Sequence, residues 1–448
     1  MDETRKLAEF IVNVRFEDVS SEALFMAKQC ILDGLGVAVA GSVQPIGNMI
    51  SEYLTVNEGA PKATVLGLGT KTSVLNAAFA NGTFMHALDY DDTHFPMIGH
   101  PTAPVLPATL VLSEAYGLNG RDLITAFAVG FEVEGKLSAA INPNHWYKGF
   151  HATATIGTFG AAAAAAKLVG LSQDQTAMAL GLAGSQAAGV KQNLGTMTKP
   201  FHAGRAAESG VRAALLAKEG FTACTNIFEG QFGFCRLMVD EYDLSKLTGN
   251  LGSPWELVGG GVFFKRYPSC HGTHAMINAM LSVAQEYNLK AEDVVKVDVG
   301  MNEIGPEELI YVEPKNALQA KFSAQFCIAV ALLDGKAGIK QFRDDVVTRP
   351  DIVENMRKVT LYVDEDIVKE IPKEWGDKTA VVKVQLKDGR FLSRRADITN
   401  PSLKELQAKF RENAGLRLPQ EHVEDAIRLI ERLEEVDDIA QLTGFLSP

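Results

Sequence analysis

Residues 153–170 read TATIGTFGAAAAAAKLVG. Six consecutive alanines flanked by glycines leave a helix with almost no side-chain bulk. Such a helix buries little apolar surface by itself, and it is stable only where neighbouring helices come close to its backbone. The stretch therefore predicts a helix enclosed on most sides within a compact bundle. SSEALFMAKQCILDGLGVAVAG (20–41), TSVLNAAFANGTFMHALD, GRDLITAFAVGFEVEGKLSAAI, SQDQTAMALGLAGSQAAG and HAGRAAESGVRAALLAKEG share its character. Capping residues and glycine stops separate them, with Ser20 or Ser21 as the N-cap of the first. Residues 3–258 thus read as helix after helix, with no fixed-period repeat.

The pattern changes at LGSPWELVGGGVFFKRYPS, where Pro254 and the run Gly259–Gly261 mark a joint. VVKVDVGM (294–301) and VTLYVD (359–364) read as strands. TAVVKVQLKDGRFLSRRADI (379–398) reads as a hairpin turning at Asp388-Gly389. ALQAKFSAQFCIAVALLDG reads as one helix between the first two strands, and NPSLKELQAKFRENAG and EHVEDAIRLIERLEEV return to helix. The expected fold is mainly α: a large helical domain formed by residues 1–258 plus 399–448, with a smaller α+β lid domain inserted at 259–398.

A net charge of −12 argues against general binding to nucleic acid or to an anionic membrane, while leaving room for a basic pocket. No run approaches the ~18 apolar residues of a membrane span, and the charged N-terminus lacks a signal-peptide core, so a cytoplasmic protein is expected. Five cysteines without C-x-x-C spacing suggest neither a disulfide framework nor a thiolate-held metal.

Chemistry concentrates in HALDYDDTHFPMIGH (86–100), where three carboxylates and three imidazoles fall within fifteen residues. Eight of the nine histidines lie between His86 and His274, a clustering that points to proton transfer or metal binding. The spacing matches neither H-E-x-x-H nor a familiar carboxylate loop, so no metal is expected. There is no G-x-S-x-G elbow, and GLGT (67–70) lacks the context of a dinucleotide fold. Basic residues offer another reading. TMTKPFHAGRAA places Lys199, His202 and Arg205 in a turn before a helix, and VFFKRYPSCHGTH brings Lys265, Arg266 and His274 to the joint. With His100 and His151, these groups describe a pocket for a small acid bearing more than one carboxylate. Its natural chemistry is removal of a proton alpha to a carboxylate, with cations stabilising the developing enediolate.

Several stretches together resemble the MmgE/PrpD family: ILDGLGVAVAG, HALDYDDTH…GHPT, GFHATATIGTFGAAAAAAKLVGL, TKPFHAGRAA, YPSCHGTH and AKFSAQF. They occur in the family's order and span nearly the whole chain. The resemblance implies a helical domain plus a lid, a homodimer, and dehydratase, decarboxylase or epimerase chemistry on small polycarboxylates without a cofactor. Carried over by position, it implies catalytic roles for Asp89, His100, His151, Lys199 and His274. Arg205, Lys265, Arg266 and His271 are the expected substrate-binding groups, and His271 stands where many relatives have arginine. His86 is expected to pack a helix, and Asp91, Asp92 and His94 to shape the loop. One departure stands out: decarboxylase-like members carry a tyrosine after A-K-F-S, and this chain has Phe326. The leading expectation is a cofactor-independent lyase, with an epimerase of an amino- or imino-dicarboxylate, or a non-catalytic carboxylate-binding scaffold, as alternatives.

Overall fold

The structure, a computed structural model, describes residues 2–259, 261–371 and 378–448. Gly260 of the expected glycine joint lies outside them. The principal elements are α1 (Ser21–Ser42), α2 (Pro45–Val56), α3 (Val74–Ala87), α4 (Thr102–Tyr116), α5 (Gly120–Ile141), α6 (Ala152–Leu168) and α7 (Thr198–Lys218). These are followed by α8 (His274–Glu286), β1 (Val294–Met301), α9 (Ala324–Asp334), β2 (Val359–Val363), β3 (Thr379–Leu386), β4 (Phe391–Asp397), α10 (Leu403–Ala414) and α11 (Gln420–Glu431). The architecture is mainly α, with one smaller α+β part.

Small residues set how the helices pack. A Cβ on Gly204 of α7 would stand 2.2 Å from the Phe79 carbonyl oxygen of α3, and one on Gly82 would stand 2.9 Å from Gly204 Cα. On the other side, a Cβ on Gly210 would meet Ala161 Cβ of α6 at 2.5 Å. Helix α7 is therefore clasped between α3 and α6 at distances that larger side chains forbid. The alanine run of α6 is fully enclosed, as its lack of bulk requires.

One hydrophobic core joins residues of the first 264 positions to α10 and α11. A second gathers α8, α9 and the inward faces of a four-stranded sheet of order β2-β1-β3-β4. Strands β1 and β2 are parallel, and the other pairs are antiparallel. The β3–β4 hairpin turns through Gly389, at φ 88°. A two-residue strand, Val262–Phe263, pairs with Thr93–His94, so the chain just past the joint is laced to the carboxylate-rich loop.

Three local expectations need correction. The segment after Thr196 is not a turn: α7 begins at Thr198, with Pro200 in its first turn, where a missing N–H costs nothing. The segment 317–335 is two helices. Ala317–Ala320 ends before Ser323, whose hydroxyl caps α9 by accepting from Phe326 N at 3.1 Å. Finally, α1 is long and apolar enough, by length and composition, to cross a membrane, and 78% of its apolar window is buried inside this fold.

Candidate active site

The exit of α3 builds the site. After Ala87 the chain turns through Asp89, whose φ of 53° is a left-handed conformation that Asp tolerates better than most residues. The turn points Asp89 at two ammonium groups. Lys265 Nζ lies 2.5 Å from Oδ1 and also donates to the Asp89 carbonyl at 3.0 Å. Lys199 Nζ lies 3.0 Å from Oδ2. Burial drives the Asp89 carboxyl upward, but Lys199 and Lys265 outweigh it and hold the group well below the usual carboxylate range.

A second carboxylate organises the imidazoles. Asp91 lies 2.9 Å from His86 Nδ1 and 3.2 Å from His100 Nδ1. Burial keeps His86 neutral, with its pKa lowered to about 3. Its Nδ1–H therefore donates to Asp91, and its bare Nε2 accepts from Lys199 Nζ at 2.9 Å. This order uses two of the three Lys199 donors, on His86 and Asp89, and leaves one for the cavity that Lys199 lines. His100 sits between both carboxylates, its Nε2 being 3.4 Å from Asp89 Oδ1.

His151 immediately precedes α6, and its Nδ1 lies 3.1 Å from His202 Nδ1. Burial lowers both rings, His202 to about 4, so one proton is shared between two neutral imidazoles. That leaves Nε2 of His151 for the cavity. His271 lies 2.8 Å from Thr93 Oγ1 on the opposite wall.

These groups surround a cavity. Asp89, His100, His151, Lys199, Lys265 and His271 line it, together with Trp146, Ile304 and Phe322. Five sequence expectations need adjustment. Arg205 is paired with Glu208 and half exposed, and it does not reach the cavity. Arg266 pairs with Glu405 on the outer side. His274 stands behind His271, ring centroids 5.4 Å apart, stacked on Tyr267, and does not line the cavity. His86 is more than a packing residue, and Asp91 more than a loop former, because both touch the Lys199–His100 network. Asp92 does shape the loop, accepting from Thr102 Oγ1 at 2.8 Å.

Glu308 was not singled out from sequence. It lines the cavity, and burial raises its pKa above the ordinary carboxylate value. No local motif marks it. Cys270 donates to it at 3.4 Å, and burial holds that thiol well above its ordinary pKa, which disfavours thiolate chemistry. Phe326 is fully buried against Phe342, ring centroids 5.3 Å apart, and does not face the cavity. Among the described residues no tyrosine lines it.

His86, Asp89, Asp91 and His100 present ligand atoms within 4.8 Å of one another, a spacing that would suit a metal ion. Two ammoniums already occupy both Asp89 oxygens, and Lys199 occupies His86 Nε2. A divalent cation would have to displace Lys199 to reach two of those four ligands.

The MmgE/PrpD N-terminal domain family matches residues 5–247, and the MmgE/PrpD C-terminal domain family matches residues 267–435. A protein named cis-aconitate decarboxylase from Homo sapiens is 31% identical over 462 residues, covering 99% of this chain and 94% of that protein. Its Mus musculus counterpart is 31% identical, covering 99% and 93%. A cis-aconitate decarboxylase from Aspergillus terreus is 27% identical over 479 residues, covering 99% and 96%.

Proposed function

The chain belongs to the MmgE/PrpD family, and from that premise we propose that it is a lyase acting on a small di- or tricarboxylate, with cis-aconitate, named in its relatives, as the first candidate. The observation that carries this reading is one cavity in which Lys199 and Lys265 converge on Asp89, with buried His100 and His151 and part-buried His271 also lining it. The lysines bind substrate carboxylates and stabilise the negative charge that develops beside them. The imidazoles, held below their ordinary pKa by burial, are neutral and ready to accept a proton.

In decarboxylation the bond to one carboxylate breaks, carbon dioxide leaves, and the electron pair stays on the substrate. It delocalises toward the remaining unsaturated acid until the site returns a proton to carbon. In dehydration the same site takes the alpha proton, and hydroxide departs as water with a proton from an acid group. His151 Nε2 is the proposed proton-transfer atom. Whichever ring donates across the His151–His202 pair decides whether that nitrogen meets substrate as base or acid. Glu308, a second titratable group lining the cavity, is a further proton-transfer candidate. Asp89 holds both ammonium groups in place, and Asp91 fixes the His86 and His100 rings. The proposed division places residues 1–258 and 399–448 in one domain and 259–398 in a lid, and the two separate cores support it. The proposed reaction is metal-independent, so turnover should survive exhaustive chelation.

The test is a panel of small polycarboxylates incubated in deuterated water and followed by proton NMR. Turnover to a new alkene with deuterium in the product is the expected result. Deuterium exchange at an alpha carbon with the substrate skeleton intact would replace the lyase with an epimerase. No exchange and no product across the panel would leave a binding protein on this fold.

A further inference from the structure

Behind the wall of the catalytic cavity lies a second one, of about 230 Å³. Ile46, Leu88, Pro200, Leu318 and Phe342 give it apolar sides, and Lys321 supplies a cation. Lys321 is only 4% exposed. Its ammonium makes one hydrogen bond, to the Ala87 carbonyl at 3.0 Å, and among the described residues no carboxylate oxygen lies within 4.0 Å of it. An ammonium carries three donors, and a buried one is normally paired. Burial lowers its pKa to about 7, opposed by the charge of Asp89 and aided by those of Lys199 and Lys265. The catalytic cavity does not use it, because Lys321 does not line that space. The one carboxylate bordering the second cavity, Asp344, is exposed and accepts from Ala317 N at 2.7 Å.

We propose that this second cavity binds a small organic acid with an apolar body, its carboxylate paired with Lys321 and its body against Leu88, Pro200 and Phe342. Such a ligand supplies the missing counter-charge and fills apolar space in one step, whereas a polycarboxylate would bury charges with no partner on these walls. The two cavities draw on adjacent residues of the same segments. Leu88 precedes Asp89, Pro200 follows Lys199, and Lys321 precedes Phe322 of the catalytic cavity.

Calorimetric titration with hexanoate tests this, with hexan-1-ol as the uncharged control and no dependence on turnover. We expect one saturable hexanoate site with Kd below about 1 mM and at least about tenfold weaker binding of the alcohol. Lys321→Met should weaken hexanoate about tenfold or more, and so should Leu318→Trp, which fills the space from a half-buried position. Lys199→Ala should bind as the native chain does. Absence of saturable binding would overturn the proposal, as would equal affinity for the alcohol. Loss of binding in Lys199→Ala with retention in Leu318→Trp would also overturn it, because the probe would then occupy the catalytic cavity.

Discussion

Asp91 touches no part of the catalytic cavity, yet it fixes which nitrogen of His86 carries the proton, and through that nitrogen the direction of the Lys199 ammonium. Asp91→Asn keeps the shape and removes the charge. It should lower kcat by about 10²-fold and displace the pH–rate profile, with little change in KM. An unaltered profile in a folded variant would reduce Asp91 to a structural residue. Phe326→Tyr makes the opposite point. The new hydroxyl would enter a fully buried apolar contact, so we expect a loss of about 1–3 kcal/mol in denaturant unfolding and no gain in turnover. A substantial rise in turnover would show that this position does communicate with substrate. Asp89, His100, His151, Lys199, Lys265 and His271 were legible because rare ionisable groups interrupt small-residue stretches. Arg205 was misplaced because the segment was read as a turn. On a continuous helix, three residues turn a side chain by about 60°, so Arg205 stands roughly 120° round from Lys199 and meets Glu208.

The crossing of α3 and α7 carries Lys199 to His86. The contact between Gly82 and Gly204 sets its depth, and a one-carbon addition at Gly204 would press into the Phe79 carbonyl. Gly204→Ala should destabilise the fold by about 1–3 kcal/mol, read as a lower denaturant midpoint. Activity should fall further than stability explains, because the Lys199–His86 contact opens. A variant equal to the native chain in both would mean that the helices separate without strain. Helix existence and type were readable from the caps and small-residue faces of α1, α5 and α6, and the hairpin from Asp388-Gly389. The break at Phe322–Ser323 was not readable. Ser323 can sit inside a helix or cap one, and only packing against the second core selects the cap.

At the scale of the molecule, burial of so many imidazoles links stability to pH. Every histidine from His86 to His274 is held below its ordinary value chiefly by burial, His86 and His94 at about 3, His145 and His202 at about 4. The unfolded chain binds these protons near pH 6.5, so their stabilisation is complete above about 6.5 and declines as pH falls toward the folded values. Asp33, raised to about 6, and Glu132, raised to about 7, act in the other direction: their stabilisation is complete in acid and is lost as pH rises through those values. The histidines outnumber the raised carboxyls, so Tm should drop as pH is lowered from 6.5 to 4.5. A Tm that holds or climbs over that interval would refute this balance. The sequence alone determined a helical bundle of small-residue helices, a smaller α+β part of different character, and the identity of most groups that could move a proton, because local periodicity and residue chemistry are properties of the chain itself. Tertiary structure alone decided which cations face inward, that His86 and Asp91 join the network, and that Lys321 lies almost without partners beside a second cavity. Direction and burial depend on which distant segments come within a few ångströms, and no local stretch encodes that.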